Sequence, residues 1–429
     1  MPTAGPSVAS DLYTVARAMA VLSFDFKGFS GTYVDRLPDR AGVPLLAAHE
    51  SYHRFLVRAT HPDPARRFAT AAEMTEQLLG VLRQILAAAD GTPRPAVSAR
   101  FTPERGAFGT EAGVVDGAGA AGAARGATPI APADGATVAA ALPVPQVDPT
   151  DPGAAVLLAA QGADLAALEQ AAANGPDDSA EIPLALARAR LAAGDVDGAH
   201  RALDAVAALD PLDWRVDWFR GVAALVSGNA ARARTAFDAV TRHCRASSPL
   251  QLALAVAAER GGDATGAAQR YERVWRTDRS FVSAAFGQAR VALGRGDRAV
   301  AVTILDAVPD GSAHHVTAQI AAARARFGAR MPHLVASDLA DASARVERLR
   351  LDVERGAGLA VELLGAALDW VRARGMPGSG AVLGHGLTER ELRFGLERAY
   401  RSLAKVVPDA DTRIALVDQA NRVRPRTLV

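Results

Sequence analysis

Gly194-Asp195-Val196-Asp197-Gly198-Ala199-His200-Arg201-Ala202-Leu203 decides how this chain is read, because its outline returns three more times. The opening glycine step reappears as Gly228-Asn229, Gly262-Asp263 and Gly296-Asp297. The differences 228−194, 262−228 and 296−262 are each 34 residues, the period of a helix-turn-helix solenoid repeat. The glycine suits a left-handed turn, and the Asp or Asn after it caps the next helix.

More than the turn repeats. Seven residues before each glycine stand Ala187, Gly221, Ala255 and Ala289, and five after it stand Ala199, Ala233, Ala267 and Ala301. Four positions further on come Leu203, Phe237, Tyr271 and Leu305, then Val206, Val240, Val274 and Val308. Small residues at facing positions let two helices cross closely, and the large apolar side chain one turn later fills the space beside them. A large residue at Gly221 or Ala267 is expected to overpack the crossing by about 1–3 kcal/mol. The pattern resembles tetratricopeptide repeats, including Pro211 at the end of the first. Beyond about residue 316 the register decays into helices expected at 335–351, 359–374, 389–406 and 412–422. Stacked repeats need atypical ends, so these read as capping helices.

Composition agrees with helices packed through small residues. Of the 429 residues 49% are hydrophobic but only 5% aromatic, so alanine, leucine and valine must form the cores. The formal net charge of +1 favours neither nucleic acid nor an anionic membrane as partner. Cys244 is the single cysteine, which excludes a disulfide or cysteine-based metal site within one chain. No secretory leader is visible, and the apolar span 359–371 is interrupted by Glu362 and Asp369. A cytoplasmic location is expected.

Three regions are expected. Residues 1–92 read as helices over 11–23, 45–60 and 70–89, the last opened by Thr70 with Glu73 three residues on. Residues 93–147, rich in Gly, Ala and Pro, read as a flexible linker that cannot bury enough apolar surface to order itself. Its Gly117-x-Gly119-x-x-Gly122 has neither the preceding strand nor the following helix that a dinucleotide site requires. Residues 148–429 read as the repeat domain with its caps.

The N-terminal region resembles the end of a protein-kinase catalytic domain. Asp11-x-Tyr13-Thr14 matches the start of the large helix of the kinase C-lobe, although Ala16 stands where glycine is usual. Asp63-Pro64-Ala65-Arg66-Arg67-Phe68, followed by Thr70-Ala71-x-x-Met74, matches the turn before its final helix. The order of parts resembles the actinobacterial protein kinase G family. It adds Val144-Pro145-Gln146-Val147-Asp148-Pro149-Thr150-Asp151, Ser283-Ala284-Ala285-Phe286-Gly287 and Asn421-Arg422-Val423-Arg424-Pro425. The resemblance implies a mainly α fold: a tetratricopeptide-repeat solenoid with C-terminal capping helices, preceded by a helical remnant of a kinase C-lobe. It implies ATP- and Mg-dependent phosphorylation of Ser/Thr for full-length members. It also implies a forkhead-associated regulator of glutamate metabolism as a partner.

Phosphoryl transfer needs a phosphate-covering loop, a lysine, the catalytic-loop Asp and Asn and the metal-binding Asp. None is recognisable here, so no catalytic, cofactor or metal residue is expected in this chain. Asp25-Phe26-Lys27-Gly28 and His53-Arg54-Phe55 only mimic such motifs, and in reversed order. His49/His53 and His314-His315 lack a ligand set, and Trp214, Trp275 and Trp370 read as packing residues. The family places partners of Asp11 and Arg67 in the catalytic loop and activation segment. Either this region is more solvated than in a kinase or it is unstable alone, and residues 1–92 expressed alone are expected to be molten or insoluble.

By the same resemblance the first helix of each repeat, counted from Ala180, Trp214, Ser248 and Val282, faces a groove. Leu184, Arg188, Trp218, Val222, Leu225, Leu252, Val256, Phe286 and Arg290 fall there, with Arg188, Trp218, Phe286 and Arg290 as candidate partner contacts. The expected occupant is an apolar segment with an acidic residue, from a protein partner or a second copy of the chain. Two functions remain: the repeat-bearing part of a Ser/Thr kinase acting in binding, dimerisation or regulation, or a stand-alone repeat scaffold with a non-catalytic kinase remnant.

Overall fold

A computed structural model describes residues 7–111, 130–244, 247–328 and 334–425. Nearly all the regular structure among the described residues is helical, as the period required. Two compact units are present: Met1–Gly106 with Asp134–Phe281, and Ala107–Ala133 with Val282–Val429. Within the repeats the division falls between the third and the fourth.

In the first unit, α1 spans Val8–Ser23, α2 Pro44–Ala48, α3 Glu50–Ala59 and α4 Ala71–Asp90. Helix α1 starts earlier than expected, because Ser7 and Ser10 cap each other's backbone N–H in a reciprocal box. The single helix expected over 45–60 is broken at His49, whose backbone leaves the helical region. Thr70 accepts from the Glu73 N–H and so opens α4 as its sequence indicated. Leu12, Ala16 and Ala20 on α1 share a core with Leu46, Phe55, Leu56, Phe68, Met74 and Val81.

The short α5 (Gly135–Ala141) follows, then α6 (Ala154–Ala159) and α7 (Leu165–Ala173). The repeats of this unit are α8 (Glu181–Ala192) with α9 (Val196–Leu209), α10 (Trp214–Val226) with α11 (Ala230–Cys244), and α12 (Ser248–Arg260) with α13 (Ala264–Thr277). Gly194, Gly228 and Gly262 all take left-handed φ values, between 72° and 80°. Asp195, Asn229 and Asp263 then cap α9, α11 and α13 by accepting from the N–H three residues on. Ala187, Ala199, Ala233, Ala255 and Ala267 have no exposed surface. A Cβ on Gly221 would stand 2.5 Å from the Phe237 ring, so only glycine fits that crossing.

The second unit contains the fourth repeat, α14 (Val282–Gly294) and α15 (Arg298–Asp306), where Ala289 and Ala301 are again fully buried. Gly296 takes the left-handed turn, but Asp297 caps with no side-chain bond. Then come α16 (His315–Phe327), α17 (Ala336–Arg348), α18 (Val353–Arg374), α19 (Glu389–Val406) and α20 (Ala410–Val423). A small hairpin, β1 (Ala381–Val382) and β2 (His385–Gly386), was not foreseen. Helices α16–α20 share a core of their own around Leu339, Leu363, Leu364, Ala367, Leu392 and Leu416. The bidentate Arg324–Glu362 pair fastens α16 to α18.

Candidate functional site

The face expected to form an open groove is covered by the chain's own residues 98–111 and 130–146. These were expected to be a flexible linker, and their described parts are ordered. Phe101, Phe108, Ile130, Val138, Leu142 and Val144 are all buried. Within the first unit the two flanks pair with each other. Thr102 N–H donates to Val144 C=O at 2.9 Å, Gln146 N–H to Arg100 C=O at 2.9 Å, and Arg105 N–H to Ala141 C=O at 3.0 Å. The Gln146 amide adds donors to the carbonyls of Ser98 and Phe101. The Gly117 motif and the glycine-alanine stretch around it lie outside the described residues.

This arm occupies what the repeats present. Phe101 packs edge-on against Trp218, ring centroids 4.7 Å apart, and against Trp214 at 5.2 Å. Trp218 is fully buried, with Phe237 on its other side. Helix α5 lies across α8 and α10, the first helices of two repeats. A Cβ on Gly135 would stand 2.1 Å from the Leu225 carbonyl oxygen, so the backbones touch there. In the second unit, the buried Ser283 hydroxyl accepts from the Phe108 N–H at 2.8 Å, and Arg290 donates to the Gly109 carbonyl at 3.1 Å.

Three of the four groove candidates are therefore corrected. Trp218 and Phe286 have no exposed surface and present nothing to a partner. Arg290 is engaged by the chain itself. Arg188 remains exposed, beside the like-charged Arg105. The sequence reading overlooked the linker as an occupant because its composition is low in apolar bulk. The signal was present in single residues: Phe101, Phe108 and Ile130 are large apolar side chains in an otherwise small-residue stretch.

Neither Asp11 nor Arg67 is left as an unpaired charge in a packed site. Arg67 does not wait for a carboxylate. It donates to the carbonyls of His61, Pro62 and Ala9 and stacks over the Tyr13 ring at 4.6 Å. Asp11 lies exposed in the first turn of α1, a favourable place for a negative charge. Nor does the N-terminal region stand apart from the repeats. Helix α4 packs on α13, Arg94 N–H donates to Thr277 C=O at 2.7 Å, and Arg273 pairs with Glu50 at 3.6 Å. Burial opposes ionisation of Glu50, but Arg54, Arg273 and Arg40 prevail and hold its carboxyl below the usual range.

Two residues of the 144–151 phrase have structural roles that spacing did not reveal. Asp151 accepts from the Ser179 hydroxyl and from the N–H groups of Gly153, Ala180 and Glu181. It thus caps α8, whose own N-cap Ala180 has no side chain able to do so. Glu181 accepts from Asp148 N–H and pairs with Arg215 of the next repeat.

The sequence decoys resolve as packing. Phe26 lies in the N-terminal core beside Phe24, Phe29 and Tyr33, while Asp25 pairs with Lys27 in solvent. Arg54 pairs with Glu50, and Phe55 is core. His315 faces the Val308 carbonyl and Asp310. Among the described residues no group of His, Cys, Asp and Glu is arranged to hold a metal ion, and no helix is long and apolar enough to cross a membrane.

The fold and the filled first-helix face define a tetratricopeptide-type α-solenoid that carries its own internal segment against the repeats. A family model described as the protein kinase G tetratricopeptide repeat matches residues 95–427. The chain belongs to that family. It is 39% identical over 439 residues to the serine/threonine-protein kinase PknG of Mycolicibacterium smegmatis, and 38% identical over 444 residues to that of Mycobacterium leprae. Each alignment covers 98% of this chain but only 56% of the relative, so the chain spans little more than half of their length. It corresponds to the repeat-bearing part of such kinases, and repeats of this architecture serve protein–protein contact.

Proposed function

We propose that this chain is the binding and regulatory part of a Ser/Thr protein kinase, with phosphoryl transfer from Mg-ATP residing in sequence outside it. The similarity to two serine/threonine kinases over nearly the whole chain carries this reading. Within it the repeats hold the last C-lobe helices in a fixed position through α4, Arg94 and Arg273. A forkhead-associated regulator of glutamate metabolism is the partner suggested by resemblance. The second reading, a stand-alone scaffold, is favoured by one observation: Arg67 is fully engaged by carbonyl oxygens and needs no residue from a catalytic loop.

Calorimetry of the 429-residue chain with Mg-ATP should give no binding heat, and labelled ATP should leave generic Ser/Thr substrates unmarked. Tight nucleotide binding by this chain alone would overturn the proposal. Coding DNA ahead of Met1 separates the two readings: in-frame catalytic-loop and metal-binding motifs support the kinase, and a stop codon supports the scaffold.

A further inference from the structure

The first unit contains a second concavity, away from the filled first-helix face. It is a cleft of about 670 Å³ between α3, the 61–68 turn and the start of α10. That volume lies within the usual range of ligand sites. Its back is apolar, formed by Phe55, Phe68, Val81 and Val216, and Leu212 at its rim is 82% exposed. Its walls are rich in arginine.

Some of that charge is already neutralised. Arg54 pairs with Glu50, Arg58 with Glu73 and Arg220 with Asp204, while Arg40 is 4.0 Å from Glu50. Two guanidinium groups remain available, with no carboxylate in ion-pair range among the described residues. Arg242 donates to the Ala239 carbonyl and the exposed Arg66 makes no such contact, whereas Arg67 is taken up by the carbonyls of His61, Pro62 and Ala9. Against them stand Asp213, engaged by Arg215, and Asp217, which is close enough to Arg220 and Arg242 to feel their charge. A chain of net charge +1 thus concentrates uncompensated positive charge around an apolar floor.

We propose that this cleft docks a short acidic segment of a partner protein, its carboxylates on Arg66 and Arg242 and one apolar side chain against Leu212 and the floor. Arginine binds carboxylates in a bidentate fork, and arginine beside buried aromatics is the composition of interface hot spots. A nucleic acid fits less well, because a polyanion draws its affinity from many basic contacts and the chain has a net charge of only +1, whereas one or two carboxylates need only the two arginines.

The test uses the full 429-residue chain and fluorescence anisotropy at low ionic strength. The probes are a fluorescein-labelled peptide of Glu and Asp around one Leu, its Gln/Asn counterpart, and labelled oligothymidylate. The acidic peptide should saturate below about 1 mM and weaken with added salt, while the amide peptide should not bind. Arg66→Ser with Arg242→Ser should weaken it by about tenfold or more at an unchanged melting temperature, since two charge-assisted contacts are lost. Leu212→Ala should weaken it independently of salt. Binding unaffected by the double substitution, equal binding of the amide peptide, tighter binding of oligothymidylate, or no saturation would each overturn the proposal.

Discussion

At the residue scale, each repeat depends on a few positions with no room to spare. Gly221 faces Phe237 so closely that Gly221→Ala should cost about 1–3 kcal/mol, measured by urea unfolding. Trp218, placed in a groove by the family resemblance, is instead a core residue under Phe101. Trp218→Ala should therefore lower stability by about 3–5 kcal/mol, and any loss of partner binding should follow that unfolding. Unchanged stability in the variant would restore the groove reading. Asp151→Ala removes the distant cap of α8, which should cost about 1–2 kcal/mol. Asp151→Asn, which keeps an acceptor oxygen, should recover part of that loss.

At the scale of elements, periodicity identified the helices that repeat and missed those that do not. The 34-residue interval located the starts of α8–α15 to within a residue, because the turns and close crossings force glycine and small residues to recur. Helix α5 has no such partner in register. Its seven residues, GATVAAA, look like part of the low-complexity stretch around them. What holds it is tertiary, the contact of Gly135 with the Leu225 carbonyl. Gly135→Ala should push α5 away from α10, exposing Phe101 and Trp218. A red-shifted tryptophan emission and a loss of about 1–3 kcal/mol are the expected outcome. An unchanged emission would mean that the arm is held without α5.

At the scale of the molecule, the N-terminal helices are part of the unit formed with the first three repeats. Residues 1–92 alone should show no cooperative thermal transition, because α4 loses α13 and Glu50 loses Arg273. The same contact predicts acid sensitivity. The folded Glu50 carboxyl lies below its unfolded value near 4.5, so its contribution is complete above that pH. It is lost as the pH falls through the folded value. Glu50→Gln should therefore flatten the fall of stability below about pH 4.5. An identical acid limb in the two proteins would remove Glu50 as its source.

The repeat, its small-residue crossings and its glycine turns were determined by the sequence itself, since backbone geometry and side-chain volume at 34-residue intervals leave few other choices. The kinase-like motifs were equally local, being short and ordered along the chain. What lies on the first-helix face, where Arg67 places its charge, and how arginines from α3, the 61–68 turn and α10–α11 meet in one cleft were decided only by tertiary structure. Those relations join residues far apart in sequence, as Phe101 and Trp218 do, and no periodicity records them.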